Sequence, residues 1–416
     1  MKRRSLVRSA LFIPATALGL NGGVPASDRV NVACIGTGWQ GMNNVKSFLA
    51  EPGAQVRALC DIDKTHLAEA QAAAPDAKTY HEMDEVFARA DIDAVVLSLP
   101  DHWHGVASTR ALAAGKDVYG EKPLAQNWAE GRAIVDAVVR YGRIWQTGSW
   151  QRSLSSFRFA CELVRNGRIG KVKRVEVGLP GGHPDFDGLG HRNRPEPPPV
   201  SLDYERWLGP APAAPYSPAR VHKTWRWNFD YGGGMLLDWV GHHVDIAHWG
   251  LGMDDSGPEA VSGTGEFDRQ HPVWDTPSKF RVEARYAGGV SMWISGGYDD
   301  VRRGTKFIGD EGWVWVDRSG IDAEPRGLLS SRIRGNEVHL YDSPGHFRNF
   351  IDCVRSRRET ACPASTALRS ATPAYLGLIA IVTGRTIRWD PARQRIVGDA
   401  EAERRLSRPM RSPWHL

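Results

Sequence analysis

Cysteine is scarce and odd in number in this 416-residue chain, with five residues at positions 34, 60, 161, 353 and 362. None stands in a Cys-x-x-Cys spacing, so neither a disulfide framework nor a cysteine zinc site has support. Cys34 and Cys60 lie in apolar runs and read as small buried hydrophobes. Also missing is any apolar run near the roughly 20 residues that a membrane-crossing helix needs. Charge of one sign is hardly in excess. The formal net charge is +5, and Lys2, Arg3, Arg4 and Arg8, in an acid-free leader, carry most of it. The remainder is close to balance and offers no electrostatic footprint for nucleic acid. No internal repeat is seen. What is present, 41% hydrophobic and 24% charged residues, is an ordinary soluble composition. At about 150 residues per domain the length suggests two or three domains.

Residues 1–26 run basic, then apolar, then small, the layout of a secretory signal. Arg3-Arg4-Ser5-Leu6-Val7-Arg8 resembles the twin-arginine address, which exports proteins already folded. A periplasmic location is expected, with a cytoplasmic one if the leader is not functional. From about 28 to 150, short β-rich runs alternate with helical segments, implying parallel strands joined by right-handed crossovers in a doubly wound sheet. Past Gln151 the texture changes to a long Pro- and Gly-rich loop over 180–218, a helix from about Met235 to Trp249, and period-two segments. Residues 151–416 are therefore expected to form an α+β domain with an open-faced, mostly antiparallel sheet, and 346–416 to return as bracing helices.

Gly36-Thr37-Gly38-Trp39-Gln40-Gly41 follows the first strand and opens the first helix, the context in which this pattern means dinucleotide binding. The first glycine makes the tight turn, the second admits the pyrophosphate, the third lets the helix pack closely, and the helix N-terminus supplies free N–H groups. Asp61 ends the second strand about 20 residues after Gly41, where a carboxylate accepts hydrogen bonds from ribose hydroxyls. That acid, with Asp63 nearby, repels a 2′-phosphate and favours NAD over NADP. Pro100 and His104, in Pro100-Asp101-His102-Trp103-His104, follow a strand at the ligand-binding edge of the sheet. The two histidines there either line the nicotinamide pocket or cap the next helix. Glu121 joins them as a candidate cofactor contact.

Glu121-Lys122-Pro123 places a lysine at the same edge, in a direction restricted by the proline. An ammonium beside a reacting hydroxyl stabilises the developing alkoxide. The densest constellation is Gly232-Gly233-Gly234 followed by Asp238, His242, His243, Asp245 and Trp249. On a regular helix Asp238, His242, Asp245 and Trp249 share one face. His242 can take a hydroxyl proton near neutrality, and Asp238 one turn away would orient the imidazolium. A structural Asp–His pair is the plainer alternative. The same face lacks an obviously spaced third metal ligand, so no metal is expected. Arg152 is a candidate for either substrate or domain interface. Trp225, His243 and Asp245 are further candidate substrate contacts, and the 16 tryptophans include Trp150, Trp225 and Trp239 where a sugar would lie.

Together these residues resemble the Gfo/Idh/MocA family, named for glucose-fructose oxidoreductase, inositol dehydrogenase and rhizopine catabolism. The likeness spans nearly all of 30–414. It implies a Rossmann domain plus an open-faced sheet domain, with nicotinamide and sugar meeting between them, Lys122 as the catalytic lysine and Asp238 with His242 as the paired groups. The expected function is hydride transfer between a sugar or cyclitol hydroxyl carbon and tightly bound NAD. Two alternatives stand beside it. One is a redox-neutral NAD-dependent glycoside hydrolase that oxidises, eliminates, hydrates and reduces; the other is a sugar- or NAD-binding protein without turnover. Homo-oligomerisation through the open sheet face is a further expectation.

Overall fold

The computed structural model describes residues 24–25 and 28–416; the expected leader, 1–26, falls outside the described residues except for Val24 and Pro25. Two sheets organise the chain. The first holds β1 (Val30–Ile35), β2 (Ala54–Cys60), β3 (Lys78–Tyr80), β4 (Ala94–Leu97), β5 (Asp117–Gly120) and β6 (Trp145–Thr147) in the order β3-β2-β1-β4-β5-β6. Every pairing in it is parallel. Residues such as Val32, Ala33, Val95 and Val96 are fully buried, as a strand covered by helices on both faces requires. The strand order reverses between β1 and β4, the switch point outside which ligands bind.

The second sheet contains β7 (Val172–Leu179), β8 (Ala260–Phe267), β9 (Pro277–Arg285), β10 (Ser291–Gly296), β11 (Gly304–Gly309), β12 (Trp313–Asp317), β13 (Gly320–Glu324), β14 (Ile387–Asp390) and β15 (Arg395–Ile396). Its order is β13-β12-β11-β7-β10-β9-β8-β14-β15. Only β7 and β10 run parallel; the other pairings are antiparallel. In β9 the buried Phe280, Val282 and Ala284 alternate with more exposed residues, so one face is wet. The covered face packs under the helices Ser155–Arg165, Asp245–Leu251 and Ala364–Thr383.

Late segments tie the two sheets together. Phe347 and Phe350 of helix His346–Ser356 pack edge-on and stacked against Phe48 and Tyr119 of the first domain. Helix Ala364–Thr383 bonds the first domain through Tyr375 Oη, which donates to the Ala125 carbonyl at 2.6 Å. Its Gly377 lies where an added Cβ would come within 2.9 Å of Val282 in β9, so only a glycine lets this helix sit so close to the sheet. No helix of the described residues is long and apolar enough to cross a membrane.

Candidate active site

A cavity of about 900 Å³ runs from the glycine loop after β1 to the sheet domain. At one end the loop after β1 packs so tightly on its neighbours that only glycines fit its turn. Gly36 has φ +79°, and a Cβ there would lie 2.3 Å from the Ser98 carbonyl oxygen; one on Gly41 would lie 2.0 Å from the Gly36 oxygen. The helix Gln40–Ala50 begins directly behind, so the positive end of its dipole lies at the loop. Gly36, Gly38, Trp39, Gln40, Asp61 and Pro100 line the cavity. Thr37 is buried instead, and holds Asp61: its N–H and Oγ1 donate to Asp61 Oδ2 at 2.6 and 3.0 Å. The glycine turn on the cavity wall, the helix start behind it and the acid after β2 fit a dinucleotide.

Glu121 links the two ends. Its Oε1 accepts from Asn44 Nδ2 at 2.9 Å and Gln40 Nε2 at 3.2 Å. Burial raises its pKa, and Asn44, Lys122 and Gln40 oppose that rise. Next in sequence, Lys122 Nζ donates to Asp238 Oδ1 at 3.0 Å and to the Asp238 carbonyl at 2.7 Å. Arg226 Nε donates to the same Oδ1 at 3.0 Å. Burial alone would raise the Asp238 carboxyl, but the two cations outweigh it and bring it to about 2. It is therefore ionised at neutral pH. Gly241 permits the lysine stem to approach, since a Cβ there would stand 2.7 Å from Lys122 Cβ.

His242 lines the cavity between Trp150 and Trp239, whose ring centroids lie 6.5 and 5.3 Å away. Burial first, then the nearby Lys122 and Arg318, hold its pKa well below the ordinary histidine range. The imidazole is neutral at physiological pH, as a proton acceptor must be. Its Nδ1 is buried without a hydrogen-bond partner among the described residues.

The expected pairing of Asp238 with His242 is not what the structure shows. Asp238 bonds Lys122 and Arg226, and the helical run is broken into α-helix Gly234–Trp239, a π-turn Val240–Val244 and α-helix Asp245–Leu251. A π-turn inserts an extra residue into the helical repeat and rotates the later turns relative to the earlier ones, so the four residues expected on one face separate. Asp238 and His242 line the cavity, whereas Asp245 and Trp249 are buried away from it. Asp245 binds Arg152 through Nε at 2.7 Å and Nη2 at 3.0 Å, Asp254 completes the clamp, and the guanidinium lies 5.2 Å from the Trp249 ring centroid. Arg152 and Asp245 thus form an internal brace rather than substrate contacts.

Two histidines are also corrected. His243 is buried, stacked on Trp239 at 5.8 Å and within 3.4 Å of Gln151 Nε2, outside the cavity wall. His104 is not a cofactor contact: its ring nitrogens meet the carbonyl oxygens of Pro123 at 2.7 Å and Leu99 at 2.9 Å. It fastens the loop carrying Lys122 to the end of β4. Trp225 does line the cavity, with Arg226 stacked 4.4 Å from its ring centroid. Sequence reasoning missed Arg226, Arg303 and Arg318, which also line it. Arg226 carried a faint signal in Trp225-Arg226-Trp227; the other two carried none. At the nucleotide end, Asp63, His66 and His222 bring one ligand atom each within 4.8 Å of one another, a cluster the sequence had not suggested.

Two family models match the chain. One, described as the oxidoreductase family NAD-binding Rossmann fold, covers residues 30–149; the other, the oxidoreductase family C-terminal alpha/beta domain, covers 158–416. A 1-carboxy-3-chloro-3,4-dihydroxycyclohexa-1,5-diene dehydrogenase of Comamonas testosteroni is 23% identical over 77% of this chain and 70% of its own length. Inositol 2-dehydrogenase 2 of Saccharopolyspora erythraea is 30% identical over 43% of this chain, and the match spans about half of that relative, 53%. Among solved structures, scyllo-inositol dehydrogenase from Lactobacillus casei, with bound NAD(H) and scyllo-inositol, superposes with a TM-score of 0.61 at 16% identity, covering 86% of this chain and 99% of its own. That likeness is one of fold.

Proposed function

This chain belongs to the Gfo/Idh/MocA oxidoreductase family, and from that premise we propose that it exchanges hydride between a hydroxyl carbon of a sugar or cyclitol and a tightly held nicotinamide cofactor. The observation that carries the reading is the meeting of Lys122 and His242 at the end of a cavity whose other end is a glycine turn. The residues of that turn, with Asp61 and Glu121, hold the dinucleotide. Bound there, the nicotinamide supplies the two-electron acceptor that no side chain provides. Asp61 and Asp63, both on the cavity wall, disfavour a 2′-phosphate, which supports NAD rather than NADP.

The chain's own groups manage the proton and the charge. Neutral His242 accepts the hydroxyl proton, since its pKa lies well below physiological pH. Lys122, anchored by the Asp238 carboxylate and main-chain carbonyl, donates to the substrate oxygen and stabilises the negative charge that develops there. Asp238 acts as a positioning residue for the ammonium rather than for the imidazole. Trp150 and Trp239 wall the cavity on either side of His242 and hold its imidazole in place.

Export by the twin-arginine-like leader and pairing of two copies through the wet sheet face, where Trp293 is 45% exposed, belong to the same proposal. A panel of sugars, cyclitols and aryl glycosides tests it. Net formation of reduced nicotinamide supports the dehydrogenase reading. Aglycone release without it assigns the redox-neutral hydrolysis, and binding with neither leaves only a binding protein.

A further inference from the structure

The sheet domain contributes two cations to the cavity that the hydride step does not use. Arg303 precedes β11 and Arg318 sits in the turn between β12 and β13, and both line the cavity. Their guanidinium carbons lie 4.7 and 5.0 Å from the centroid of the Trp239 ring, and Arg318 also stands 4.6 Å from that of Trp150. These are the two rings that flank His242.

Among the described residues neither arginine forms an ion pair, whereas the adjacent Arg302, which is not on the cavity wall, pairs with Asp322 at 3.1 Å. The only hydrogen bond from the Arg318 guanidinium among the described residues runs to Gln151 Oε1 at 3.3 Å. Asp317, the nearest acid in sequence, accepts from Ser319 N and Oγ. Lys122 and Arg226 differ in this respect, because both pair directly with the Asp238 carboxylate. Burial and then the like charge of Arg303 lower the Arg318 pKa, against the smaller opposing pull of Asp238 and Asp317.

Stacking on tryptophan fixes the planar guanidinium forks before anything binds, so little rotamer entropy remains to be lost. Such forks pair in bidentate fashion with carboxylate, sulfate or phosphate and gain far less from a neutral hydroxyl. The cofactor's own phosphates belong at the other end, beside the glycine turn, where Lys223 and Arg226 stack on Trp39.

We propose that Arg303 and Arg318 form an oxyanion subsite, so that the substrate is a sugar or glycoside bearing a carboxylate, sulfate or phosphate group rather than a neutral one. The hydride step in this statement rests on the proposed function; the anion subsite does not, and the test separates the two. NAD-loaded protein is titrated with methyl glucoside, methyl glucuronide, methyl glucoside 6-sulfate and glucose 6-phosphate. Binding is read from tryptophan fluorescence and turnover from absorbance of reduced nicotinamide.

At least one anionic ligand is expected to bind about 10- to 100-fold more tightly than the neutral glucoside, as charge-assisted hydrogen bonds imply. The arms identify which oxyanion fits. Arg303→Gln and Arg318→Gln should each remove about tenfold of that preference, and the double variant all of it, with NAD affinity intact. Arg302→Gln should change nothing. Equal affinity across the set, a preference that survives the double variant, or a loss of NAD affinity in that variant would overturn the subsite. Anion-selective binding without any turnover would instead keep the subsite and refute the oxidoreductase reading.

Discussion

Two buried carboxylates stand on either side of one π-turn, each clamped by cations, and they do different work. Asp238 and its partner Lys122 each keep 15% side-chain exposure, on the wall of the cavity. Asp245 and Arg152 keep 1% and 3%, sealed between helices. The chemistry of the two pairs is nearly the same; access to the cavity separates the one that can act from the one that only braces. A buried ion pair is weak evidence of function until something open lies beside it.

That contrast is sharpest when each pair loses its cation or its neighbouring base. His242→Ala should lower kcat by about 10²- to 10⁴-fold, and Lys122→Ala by about 10²- to 10³-fold. Both variants should melt near the wild-type temperature and still bind NAD. Activity retained in either would break the assignment of the cavity pair. Arg152→Ala should do the reverse: about 3–5 kcal/mol of stability lost in denaturant unfolding, because the Asp245 carboxylate remains buried without its partner, with kcat per folded molecule little changed. A stable Arg152→Ala protein that has lost turnover would return Arg152 to the substrate site.

Acid reaches both regions, because buried histidines stand in each. His102 and His243 are brought by burial to about 3, and His248 and His346 to about 4. Their folded values lie below the unfolded one, so the unfolded chain binds more protons as pH falls. The part of stability that rests on these neutral imidazoles is therefore complete above about pH 6.5 and declines below it, by up to about 1.4 kcal/mol per imidazole per pH unit. For His242 the same depression means that the kcat profile, among molecules still folded, stays level through pH 6.5. Melting temperatures between pH 8 and 5, and initial rates over the same range, check both halves.

Local signals made the first domain easy to read. β1 and the helix Gln40–Ala50 have the bounds that alternation and the glycine pattern indicate, because parallel strands between helices leave long apolar runs. The brief β3 and the helix Met83–Phe87 escaped notice: three and five residues are too few to show a period. In the second domain, β8 (AVSGTGEF) and β11 (GTKFIG) hide behind glycines that lower strand propensity.

At the site, Lys122 and His242 were legible because their motif context is local. The Asp238–His242 pairing was misjudged because a π-turn leaves no mark in the spacing of residues. Arg152, His104 and His243 were misplaced because a charged or titratable side chain looks the same in sequence whether it faces a cavity or a carbonyl. Arg303 and Arg318 reach the cavity only through the pairing of β11 and β12, a contact set by tertiary structure.

The account depends most directly on hydrogen from the substrate carbon reaching a cofactor in this cavity. Purified protein turned over with ring-deuterated sugars, then denatured and its released nicotinamide weighed by mass spectrometry, measures that. The wild type should yield cofactor carrying deuterium, and Lys122→Ala and His242→Ala should label it at least about 10²-fold more slowly. Substrate conversion by the wild type with no deuterium on the nicotinamide would contradict the account.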